Sequence, residues 1–75
     1  MLRSSPYRFF FYSDDRNEPP HVHVRREWRE GKLWLAPVSV ARGGDFRSTE
    51  LRAIIKLVLE HQPMLLRSWH EYFES

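Results

Sequence analysis

The hydrophobic and polar positions of the chain change their repeat twice. Tyr7 to Tyr12 (YRFFFY) is a run of strand-forming aromatics, too dense for all of them to face water. It predicts a strand covered largely on both faces. Ser13 to Pro20 collects Asp14, Asp15, Asn17 and two prolines, which is loop chemistry because proline lacks a ladder donor and pushes its predecessor to extended backbone. From His21 to Glu27 a period of two sets Val22 and Val24 on one face and His21, His23 and Arg25 on the other. Glu30, Gly31 and Lys32 suggest a hairpin turn, and Lys32 to Ala36 returns as a third strand, with Leu33 and Leu35 opposite Trp34 and Pro37 ending it. Val38 to Ala41 reads as a short extended tail.

Beyond the glycine-containing loop Arg42 to Arg47 the period lengthens to 3.6. With Ser48 as cap, Leu51, Ile54, Ile55, Val58 and Leu59 form an apolar stripe, while Arg52, Lys56 and Glu60 fall on the wet side. Pro63 suits the first turn of a new helix, on which Leu65, Leu66, Trp69 and Phe73 repeat the stripe. The expected architecture is α+β: a three-stranded antiparallel meander followed by a two-helix hairpin packed on its valine face, with the histidines on the opposite face.

Composition narrows this picture. Seventy-five residues make one domain over 1–75, since a second core would leave each half below the ~40 residues that usually require staples. No cysteine is present, so there is neither a disulfide framework nor a thiolate metal site. No apolar run reaches the ~18 residues of a membrane span and no secretory signal layout is seen, so a cytoplasmic protein without membrane contact is expected. The net charge of +2 is small, but residues 25–52 hold seven cations against four anions, and ten of the chain's twelve cations are arginines. Their planar fork suits phosphate and carboxylate.

Candidate chemistry centres on Asp14, Asp15, Glu18, Pro19, Pro20, His21 and His23. Same-face residues two apart lie roughly 6.5 to 7 Å from each other, which lets both rings reach one ligand. Two mechanisms share those histidines. As general acid and base they would cleave a phosphodiester, ribonuclease fashion, with Arg25, and Arg26 or Arg29 beside it, holding the developing charge. As metal ligands they would bind a divalent ion with Asp15, or with Asp14 or Glu18, as the carboxylate. A third reading gives them only a structural part, bonded to the proline loop. Arg25, Arg26, Arg29 and Trp34, with Trp28 nearby, form a candidate nucleic-acid surface. His61 is expected to close the first helix and His70 to lie on the surface of the second.

The runs Phe9-Phe10-Phe11-Tyr12-Ser13, Glu18-Pro19-Pro20-His21-Val22-His23-Val24, Lys32-Leu33-Trp34-Leu35-Ala36-Pro37, Glu50-Leu51, Glu60-His61-Gln62 and Trp69-His70-Glu71-Tyr72-Phe73 together resemble a small bacterial family, domain of unknown function 4160. The resemblance implies a toxin–antitoxin-like or regulatory component that engages RNA, DNA or a cognate small protein from a neighbouring gene, and it brings no established catalytic activity. Many relatives carry a histidine after the aspartate ahead of the prolines, whereas Arg16 follows Asp15 here, so a third-histidine metal site does not transfer. A non-catalytic interaction module is the rival reading, and the exposed edge of so short a sheet admits a homodimer.

Overall fold

The computed structural model describes residues 2–4, 6–12 and 17–74, with 2–4 and 74 as backbone alone. Five antiparallel strands follow one another in chain order: β1 (Leu2–Ser4), β2 (Tyr7–Phe10), β3 (His21–Arg26), β4 (Arg29–Leu35) and β5 (Val38–Arg42). One helix, α1 (Ser48–Glu74), lies across the sheet. The α+β class and the meander are as the pattern predicts. The strand count is not: a four-stranded meander from Tyr7 to Arg42 carries the three-residue β1 at its edge, and the expected tail at Val38 is β5.

The alternation along β2 and β3 sets the core. Tyr7, Phe9, Val22, Val24, Leu33 and Leu35 face the helix, where Ile54, Val58 and Leu65 meet them, and all are buried. Burial at this depth is worth about 1.5–3 kcal/mol for each large aliphatic or aromatic side chain. The first strand is not covered on both faces throughout, because Arg8 between Tyr7 and Phe9 is exposed.

The β3–β4 hairpin turns at Glu27 and Trp28, three residues earlier than expected, with Glu27 at φ 58°. Gly31 is therefore not a turn residue. It sits within β4 opposite Val24, where a Cβ would come 3.1 Å from the Arg42 carbonyl oxygen, next to the register shift between Lys32 and Leu33. The glycine that serves backbone geometry is Gly44, at φ 60°, where a Cβ would stand 1.9 Å from the Glu30 carbonyl oxygen.

The two-helix hairpin is replaced by a single 27-residue helix with Pro63 inside it. The reason is phase. Ile54, Val58, Leu65 and Trp69 are all buried and are separated by four, seven and four residues, one unbroken stripe across the proline. Pro63 faces water, so the carbonyl it deprives of a partner is that of Leu59, itself 55% exposed and open to solvent. Leu59 thus leaves the apolar stripe assigned to it. Gln62, next to the proline, donates its Nε2–H to the Leu35 carbonyl at 2.6 Å and ties the helix middle to the end of β4. The cap is Arg47, one residue before the expected Ser48, which is the first helical residue: the Arg47 carbonyl accepts from the Leu51 N–H at 2.9 Å, and the Glu50 carboxylate reaches back to the Arg47 N–H.

Two stability outcomes follow from this architecture. Pro63→Ala restores a helical hydrogen bond and should raise stability by about 1–3 kcal/mol in a denaturant melt; a lower midpoint would mean that a second helix begins at the proline. Gly44→Ala should lower stability by about 1–3 kcal/mol, from positive φ and the clash with Glu30; an unchanged midpoint would contradict the close approach.

Candidate functional site

The Pro19-Pro20 segment delivers the chain into β3 under two fastenings. The Leu35 N–H donates to the Pro20 carbonyl at 3.0 Å, and His21 Nδ1 lies 2.9 Å from the Pro19 carbonyl. A carbonyl only accepts, so Nδ1 carries the proton and donates. His21 is fully buried and His23 is 5% exposed. The expected common side is found, with ring centroids 5.2 Å apart, but the expected solvent exposure is not. His21 is enclosed by Trp34 at 5.7 Å and Trp69 at 4.9 Å. His23 stacks on Phe10 at 5.7 Å and meets the edge of Tyr12 at 4.5 Å.

Helix length explains His21. At 1.5 Å per residue α1 is about 40 Å long, whereas the seven residues of β4 cover about 23 Å. The last turns overshoot the strands, and Trp69 and Phe73 close over Phe11 and His21. A chain turning back at Pro63 would have left that ring wet.

Within the trio His21, His23 and Arg25, both imidazoles are therefore enclosed rather than open to solvent. Proton transfer needs contact with the substrate at about 2.6–3.2 Å, and both rings are buried beside aromatic side chains. Arg25 is exposed and directed along the hairpin, its Nε–H donating to the Glu27 carbonyl at 3.2 Å. Among the described residues no three of His, Asp and Glu group to hold a metal. Glu18 is instead ion-paired to Lys32, and Asp14 and Asp15 lie outside the described residues.

The proposed cationic surface divides between the two faces of the sheet. Arg26 and Arg29 fall on the helix side and converge on Glu50: Arg29 Nη1 donates to both carboxylate oxygens at 3.1 Å, and Arg26 Nη1 to one at 3.4 Å. The Glu50 side chain is 16% exposed and stands in the first turn of α1, where the helix dipole favours an anion. These two arginines hold the fold together at the hairpin end. Trp34 is on the outer face, but Lys32 Nζ lies over its ring at 4.8 Å and His21 against its edge. Only Arg25 remains on the outer face from the cationic set.

It gains neighbours that local pattern did not reveal. Strand register sets Arg3 opposite Arg8, Arg8 opposite Arg25, and Arg25 opposite Glu30, a row of three arginines ended by an acid. The Glu30 carboxylate accepts from Tyr12 OH at 3.0 and 3.1 Å. Among the described residues no carboxylate pairs with Arg8 or Arg25. Arg8 was visible as the polar break in YRFFFY, but its meeting with Arg25 depends on pairing across a long loop. Of the remaining histidines, His61 is half-buried in mid-helix rather than at a terminus, and His70 is exposed as expected.

Like charges directly opposite in a sheet oppose folding. Arg8→Glu should therefore raise stability by about 0.2–1 kcal/mol, read as a rise in melting midpoint at low salt that shrinks at high salt. A lowered midpoint would show that the row stabilises the sheet.

No helix among the described residues is long and apolar enough to cross a membrane. No curated protein and no solved structure matches the chain. A family model described as "Domain of unknown function (DUF4160)" matches residues 7–70, from the first core strand to the turn that carries Trp69 over His21, and the chain belongs to that family.

Proposed function

We propose that this chain is a non-catalytic binding module, a regulatory component of the toxin–antitoxin-like kind, that meets its partner with the outer face of its sheet. The observation that carries this reading is the His21 ring, fully buried and bonded to the Pro19 carbonyl. A ring so placed fixes the path of the proline loop into β3 and takes no proton from a substrate. His23 adds an aromatic contact to the same layer.

The inner stripe of the helix is consumed by the core. The outer face combines exposed arginines with half-buried aromatics, a composition suited to binding.

Purified protein incubated with labelled single-stranded and structured RNA should give no cleavage above a protein-free control, and His23→Phe, which retains a ring in the aromatic layer, should leave the fold and partner binding in place. RNA cleavage by the wild-type chain that His23→Phe abolishes, with circular dichroism unchanged, would overturn the module and restore an enzyme.

A further inference from the structure

We infer that the tip of the β3–β4 hairpin, with the outer sheet face beside it, binds single-stranded RNA, with Arg8 and Arg25 on its phosphates and Trp28 stacked on a base. This rests on reading the chain as a binding module and names the partner.

The first support is charge. Strands lie about 4.8 Å apart, so the register of Arg3, Arg8 and Arg25 spaces three cationic residues over about 10 Å at the backbone. Arg8 and Arg25 are exposed, and the one acid in the row, Glu30, is engaged by Tyr12. Among the described residues no carboxylate pairs with Arg8 or Arg25, which leaves both to an external anion, and phosphate suits the guanidinium fork.

The second support is Trp28. It lies at the hairpin tip and is 66% exposed, the most exposed of the large hydrophobic side chains among the described residues. It is also held in place: the Arg29 guanidinium lies over the indole at 5.3 Å, and Arg29 is fixed by Glu50. Arg25, on the outer face, is bonded to the carbonyl of Glu27, the residue before Trp28, while the indole packs against Arg29 from the helix side, so cationic row and indole meet at the hairpin tip. An oriented aromatic beside a cationic track is how proteins take a single strand, since every unpaired base offers a π face and a paired base does not. Unpaired bases are the feature by which RNA is most often recognised. An acidic peptide would satisfy the arginines but leave the indole unused.

The test is fluorescence anisotropy of a labelled twelve-residue oligouridine titrated with the full chain. Binding should weaken with salt, with a log–log slope of about −1.4 to −2 for two or three phosphate contacts. Trp28→Ala should weaken binding by roughly tenfold, within the range of one lost base stack. Arg8→Glu with Arg25→Glu should weaken it by at least as much and flatten the salt slope. The control is Arg52→Glu with Arg67→Glu, the same change in net charge on exposed helix positions, which should bind as wild type. Equal loss in that control would overturn the site, as would equal binding of duplex RNA, of the matching DNA or of polyglutamate. Absence of oligouridine binding refutes this inference while leaving the module standing; RNA cleavage refutes the module itself.

Discussion

The contact on which the molecule turns is Trp69 against His21, at 4.9 Å between ring centroids. It closes the end of β3 from the side opposite the sheet's own aromatic layer, and it requires α1 to run unbroken past the strand ends. A helix that stopped at Pro63 would strand Leu65, Trp69 and Phe73 without a partner and leave Phe11 uncovered. The continuous stripe therefore outweighs one lost backbone hydrogen bond: a proline in a helix interior costs about 3 kcal/mol, and burial of Leu65 and Trp69 alone returns about as much or more. The same contact decides the chemistry, because it converts an apparent pair of surface imidazoles into part of the interior.

At the other end of the helix the governing interaction is electrostatic. Glu50 gathers Arg29, Arg26 and the Arg47 N–H at the start of α1, so the helix is fixed to the hairpin by charge at one end and by aromatic packing at the other. Partly buried charge-assisted bonds of this kind are worth more than surface pairs. Their consequence for function is subtraction. Two of the seven cations of residues 25–52 are committed to structure, and Arg25 is left exposed on the outer face.

Much of this was legible in the chain. The alternation from His21 to Arg26 assigns faces correctly, with Val22 and Val24 inward and both histidines together. Three features misled. Pro63 suits the first turn of a new helix, although the seven-residue step from Val58 to Leu65 already preserves the helical phase. Gly31 suggested a turn, but its demand comes from the Arg42 carbonyl on the next strand, a tertiary contact without a local trace. Residues 2–4 carry no strand pattern of their own and Val38 to Ala41 reads only as an extended tail; their order as strands comes from pairing with β2 and β4. The exposure assigned to His21 failed for the same reason as the helix, since a hairpin at Pro63 would never have brought Trp69 to it. The arginine row was hidden differently: each member is plain in the sequence, but only register across three strands aligns them.

The most direct measurement is a long-range proton–nitrogen correlation spectrum of the histidine rings. Burial against Trp69 and the bond to Pro19 predict a His21 ring protonated at Nδ1, with a proton slow to exchange with water. A His21 ring protonated at Nε2 alone, or exchanging as freely as the exposed His70, would contradict the enclosed strand and everything built on it.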